Sequence, residues 1–197
     1  MTSDAPATVF AGIWRFTLVS VAGFAPWVLA GPWFYRTVGE AGLYLACLVA
    51  FLLSALLLLP GLLAGERRLR RTAMWFLPAF TAYAVLWCAC WFALGGRAGE
   101  WAGAVTGVAA FVALSAWTLG RPRAPLITAA VVIAAHAAGY FAGDQAYRGF
   151  SGQSKTLGML AWGVCYGVGF GAGLGWLIRC SGDGRSPAPA IDQSHHA

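Results

Sequence analysis

Six stretches of this chain run for about twenty residues each with hardly a charge in them, and each is long enough to cross the hydrocarbon core of a bilayer as a helix. They extend from about Val9 to Phe34, Gly42 to Leu63, Ala73 to Leu94, Ala102 to Leu119, Pro125 to Gly143 and Gly158 to Leu177. In lipid every backbone N–H and C=O needs a partner inside the protein, so segments of this kind have to be helical. Charged residues make up 10% of the chain, against about 25% in a soluble domain, which is too few to cover a water-facing surface. The expected fold is therefore all-α: a polytopic membrane protein with six transmembrane helices arranged as three hairpins. Residues 1–8 form a short N-terminal tail, 9–178 the transmembrane domain, and 179–197 a cytoplasmic tail.

The arginines set the orientation. Arg67, Arg68, Arg70 and Arg71 lie between the second and third segments, Arg121 and Arg123 between the fourth and fifth, and Arg179 and Arg185 after the sixth. The opposite connections hold only Arg36, Arg97, Arg148 and Lys155, each accompanied by an acid. Positive charge is retained on the cytoplasmic side, so both termini are expected there, in a bacterial cytoplasmic (inner) membrane. Arg15 joins the same side if its long side chain snorkels along the first helix. The formal net charge of +6 is distributed over segment ends rather than gathered in one patch, which argues against a nucleic-acid partner. The N-terminus has no basic cluster ahead of its apolar run, and Arg15 lies within it, so the first segment reads as a retained helix and not a signal peptide. The tail from Ser181 to Ala197 has too little apolar content to fold and is expected to be disordered, and His195 and His196 within it read as a chance pair.

The sixth segment is unusual. Gly163, Gly167, Gly171 and Gly175 recur at every fourth position, and Gly169 and Gly173 repeat that spacing on another side of the helix. Each interior glycine costs a helix in water about 1 kcal/mol relative to alanine, but in lipid small residues let neighbouring helices approach closely. This helix is expected to be the central packing post of the bundle. Segments four to six, rich in Ala and Gly, should form its tight half, and the first three the bulkier, lipid-exposed half.

Cys47, Cys88, Cys90, Cys165 and Cys180 are odd in number and mostly deep in apolar runs, so they read as packing residues without a disulfide framework. Cys88 and Cys90 point to different sides of a helix and cannot share a metal. No metal site and no particular cofactor is indicated.

The outer ends of the hairpins resemble one another. Trp33-Phe34 is followed by Arg36 and Gly39-Glu40, Trp91-Phe92 by Arg97 and Gly99-Glu100, and Tyr140-Phe141 by Gly143-Asp144 and Arg148. Parallel repeats of this kind would place Arg36, Glu40, Arg97, Glu100, Asp144 and Arg148 around an outer mouth, where they would steer a small ion or solute. As separate surface pairs they would select nothing. His136 stands alone as an ionisable side chain near the middle of a segment, and such residues mark a pathway, relay or ligand site unless they only satisfy local packing.

Gly149-Phe150-Ser151-Gly152, taken with His136, resembles the Ser and His of rhomboid intramembrane proteases, which are also six-helix proteins. The order departs from that family, in which the serine precedes the histidine helix, and Ser151 falls in a polar outer loop with no positioned base or dry oxyanion site. No catalytic residue is assigned. Trp27, Trp33, Trp87, Trp91 and Trp101 read as an interfacial aromatic belt, with the lining of a pocket for a flat pigment, quinone or lipid tail as the other use of such rings. Two functional expectations remain: a small transporter or channel with a path past His136, or a non-catalytic subunit in which the glycine-striped helix docks a partner helix or a second copy.

Overall fold

The computed structural model describes residues 5–181, and their architecture is all-helical. Helix α1 spans Ala5–Gly23, α2 Ala25–Leu58, α3 Arg68–Leu94, α4 Gly96–Leu119, α5 Pro125–Ser151 and α6 Lys155–Cys180, with one 3-10 turn at Pro60–Leu62. Five apolar helical stretches are long enough to cross a membrane, counting Thr8–Leu58 as one.

That first stretch is in fact folded on itself. Helical hydrogen bonding carries across the α1–α2 junction, from Phe24 N–H to Ser20 and from Val28 N–H to Phe24. Pro26 opens α2 at a place where its missing N–H costs little. The reversal comes at Gly39, whose φ of 73° lies where a residue with a Cβ is strained. Beyond it the second arm of α2 runs back along α1. Trp27 and Tyr44 meet edge to face at 5.8 Å, Ser54 Oγ donates to the Val19 carbonyl at 3.4 Å, and Arg15 Nη1 donates to the Leu58 carbonyl at 2.6 Å. Arg15 thus snorkels to the arginine-rich end, where it caps the C-terminal carbonyls of α2.

Successive helices pack side by side, and α6 closes the circuit against α1. The closest joints are α5 with α6 and α1 with α6, and these are where the α6 glycines lie. A Cβ on Gly167 would come within 2.5 Å of Thr17 Cα, one on Gly171 within 2.6 Å of the Gly12 carbonyl, and one on Gly175 within 2.7 Å of the Thr8 carbonyl. Gly163, in the same row, faces Phe24 and Val21 of the α1–α2 junction. The second row faces α5: a Cβ on Gly169 would collide with the Ala135 carbonyl and Gly139, and one on Gly173 would meet Val132 Cα at 3.2 Å. Helix α6 is therefore held between α1 and α5 as one wall of the ring, rather than standing at its centre. The interior is filled by rings from all sides: Phe16, Phe51, Phe76, Phe80, Phe111 and Phe170 form one buried cluster, with Phe16 and Phe170 stacked at 4.7 Å.

Helices α4 and α5 extend furthest beyond their apolar runs. Helix α4 starts at Gly96, six residues before the apolar core of its segment, and α5 continues past Gly143 to Ser151. Charge spacing explains both. Arg97 and Glu100 pair at i, i+3, and Asp144 and Arg148 at i, i+4, so these polar turns satisfy themselves as helix. Residues 5–8, read from the sequence as tail, belong to α1. Arg179 and Cys180, counted from the sequence with the C-terminal tail, belong to α6, and the tail beyond Ser181, including His195 and His196, lies outside the described residues.

Candidate functional site

His136 is fully buried on α5 at the level where α3, α5 and α6 converge. Its Nε2 is 2.9 Å from the Tyr83 hydroxyl of α3, and the Tyr166 hydroxyl of α6 donates to Tyr83 at 3.1 Å. The imidazole is walled by rings, with Tyr83, Tyr166 and Phe170 all meeting it edge-on at 5.4 to 5.5 Å. Its Nδ1 is buried and has no hydrogen-bond partner among the described residues. Three polar groups from three helices thus form one short run inside an otherwise apolar interior, which is how buried polar atoms become tolerable.

Beside this run lies a cavity of about 350 Å³. It occupies the half of the bundle toward the Gly39 and Gly95 turns, on the seam between the second arm of α2 and α3. Those two helices touch at mid-span, where Phe51 and Phe80 meet at 5.2 Å, and the 3-10 turn packs on α3 at the arginine-rich end. Toward the other end each follows a different neighbour, α2 turning at Gly39 and α3 joining α4, so the seam parts. One wall is Ala41, Tyr44, Leu48 and Phe51; the other is Phe80, Ala84, Trp87 and Cys88. Tyr83, Tyr140, Trp162 and Tyr166 close the back. At the rim, Leu45, Val85 and Phe92 are 62%, 57% and 55% exposed, so the opening lies on the side of the bundle among exposed apolar residues.

Of the six charges expected around an outer mouth, four meet. Arg97 Nη1 pairs with Glu100 at 2.9 Å, Arg97 Nη2 with Asp144 at 3.1 Å, and Arg148 Nη2 with Asp144 at 3.0 Å. Asp144 is buried between the two guanidiniums, and the cluster ties α4 to α5. Arg36 instead donates from Nε to the Pro32 carbonyl, and Glu40 lies beside Tyr35 and Tyr44 near the cavity rim. The three outer motifs also differ in register: the first two stand at turns, whereas Tyr140 to Arg148 lies within α5.

Ser151 and His136 are fifteen residues apart on the same helix, which separates them by about 22 Å along its axis. The Ser151 hydroxyl donates to the Arg148 carbonyl, and the two residues do not form a nucleophile–base pair. Among the described residues no three His, Cys, Asp or Glu come together as metal ligands would.

Trp27 and Trp87 line the cavity, whereas Trp33 and Trp101 are half exposed. The residues that sequence reasoning passed over are Tyr83 and Tyr166. A signal was present, because a phenol placed midway along an apolar span has to find a hydrogen-bond partner. Comparison with family models, with curated proteins and with solved structures finds no match for this chain.

Proposed function

We propose that this chain is a membrane-embedded, non-enzymatic binding protein for a flat, apolar molecule that reaches its site sideways from the bilayer. The observation that carries the reading is the aromatic cavity on the α2–α3 seam, with exposed apolar residues at its rim. Its volume of about 350 Å³ lies in the range of small-molecule sites, and its walls offer stacking faces. In this reading the chain crosses the bacterial cytoplasmic membrane six times, as three hairpins with both termini inside; the hairpin at Gly39 and the clustering of Arg67 to Arg71 with Arg123 and Arg179 at one end support it. The partners are the bilayer and its dissolved lipophiles, and not nucleic acid.

The test is binding of anthracene to the protein in lipid nanodiscs, measured as uptake in excess of protein-free discs. Wild type is expected to bind saturably. Ala84→Trp, which fills the cavity from its α3 wall, is expected to weaken binding at least tenfold. No excess uptake by wild type, or equal uptake by the filled variant, would overturn the reading.

Passage of a small solute or ion through the ring is a second reading, favoured by the polar run Tyr166–Tyr83–His136 at mid-bundle. The interior is packed with rings, so such a path requires the helices to move. Solute or proton flux into proteoliposomes that His136→Ala abolishes would support it. A subunit or scaffold role would need a surface other than the glycine rows of α6, since α1 and α5 of the same chain occupy both.

A further inference from the structure

Within the binding reading above, on which this step rests, we infer that the occupant carries a hydrogen-bond-accepting oxygen, of ketone or quinone type, that meets the Tyr83 hydroxyl.

The argument follows the protons along the buried run. Tyr166 donates to the Tyr83 oxygen, so the Tyr166 proton is used. The contact between Tyr83 and His136 Nε2 admits two arrangements, set by the imidazole tautomer. If Tyr83 donates to Nε2, the ring proton sits on Nδ1, which is buried and has no acceptor. A buried N–H without a partner is the rarest kind of unsatisfied group and loses its full hydration. If instead Nε2–H donates to Tyr83, Nδ1 is a bare ring nitrogen and the stranded donor is the Tyr83 O–H. Each arrangement strands one donor within the run, but only the second places it on a residue that lines the cavity, where an occupant can accept from it, so an occupied cavity selects the second.

Its consequence lies at the cavity. The Tyr83 oxygen then accepts from both His136 and Tyr166, and its own proton has no acceptor in the run. Tyr83 is nearly buried and is part of the cavity lining, as is Tyr166, whereas His136 is not. The free proton is thus presented where an occupant would sit. An apolar ring alone would leave it unpaired, and a carbonyl oxygen at the inner end of a flat ring system would satisfy it. His136 acts in this scheme as a positioning residue that holds the Tyr83 oxygen from behind. The remaining lining is aromatic or aliphatic except for Cys47, Cys88, Tyr44 and Tyr140 and for the indole N–H groups of Trp87 and Trp162, which are buried and without a partner among the described residues, so the occupant should be a largely hydrocarbon ring system with room for a second accepting oxygen.

Anthraquinone and anthracene share one outline and differ in two carbonyls, and anthraquinone has no position at which the cavity thiols can add. With wild type in nanodiscs, after correction for partition into protein-free discs, anthraquinone is expected to bind about tenfold more tightly. The infrared carbonyl stretch of the bound molecule should move to lower frequency. In Tyr83→Phe the preference should fall to about one, and the shifted band should return to its position in lipid. Equal affinities for wild type, an unshifted carbonyl band, or a preference that survives Tyr83→Phe would overturn the inference while leaving the cavity as a site for hydrocarbon. Failure of both molecules to bind wild type would overturn the binding reading as well. The infrared measurement needs only the wild-type protein, so it decides the matter even if Tyr83→Phe does not fold.

Discussion

Gly139 and Gly169 are each other's neighbours across the α5–α6 joint, and neither has room for a single methyl group. A Cβ on Gly139 would lie 2.6 Å from the Cys165 carbonyl, and the obstacle in every case is backbone, which cannot rotate away. Gly149, on the same α5, has nothing within 4 Å of the position its Cβ would take. Two alanine substitutions, one on each of these helices, should therefore act in opposite directions. Gly169→Ala is expected to lower stability by roughly 1–3 kcal/mol through overpacking, and Gly149→Ala to raise it by up to about 1 kcal/mol through helix propensity. Thermal unfolding in detergent, followed by near-ultraviolet circular dichroism, compares them directly. A fall in both midpoints of similar size would mean that glycine on α6 is not there for helix approach. The same scale explains why the sequence yielded the glycine pattern but not the partners of its two rows: spacing reveals a bare stripe, whereas the neighbour that covers it is decided elsewhere in the chain.

Among elements, α4 and α5 are joined more loosely than α5 and α6, and the links between them include the Trp101–Phe141 ring contact at 4.4 Å and the Arg97–Asp144 ion pair. Asp144 takes a hydrogen bond from Arg148 of its own helix at 3.1 Å and another from Arg97 of α4, also at 3.1 Å. Arg97 is half exposed, so its pair is partly screened and should contribute only weakly. A double-mutant cycle with Arg97→Ala and Asp144→Ala should give a small favourable coupling, read from unfolding midpoints. A coupling of zero would show that the ion pair does not fasten the seam. Gly39 is the corresponding device in α2. With φ at 73°, Gly39→Ala should cost about 1 kcal/mol from backbone strain alone, because its surroundings are open. From sequence, Gly39 looked like one of several interfacial glycines. Only the reversal of the chain shows that this one carries the turn.

For the whole molecule the arginine-rich end is the strongest expectation carried over from composition. Arg67 to Arg71, Arg123 and Arg179 gather at one end together with Arg15, whose guanidinium reaches the C-terminus of α2. An alkaline phosphatase fusion after Ala197 should be inactive in a bacterial host, and one inserted at the turn near Gly152 should be active. The reverse result would place the arginines outside and invert the orientation.

Composition and hydropathy alone determined the helical class of this chain and the approximate extent of its apolar segments, because a run that apolar offers its backbone few partners but its own and leaves helix as the available form. They also singled out His136, because an ionisable group in hydrocarbon is conspicuous in any order of residues. Tertiary structure decided what His136 touches. It brought Tyr83 and Tyr166, fifty-three and thirty residues away along the chain, to one hydrogen-bonded run, and it set α6 into the wall rather than the centre. It also opened a cavity where α2 and α3 part. These outcomes depend on which helix faces which across the ring, and helix pairing in a membrane is governed by local fit of side chains and bare backbone, which no single segment encodes.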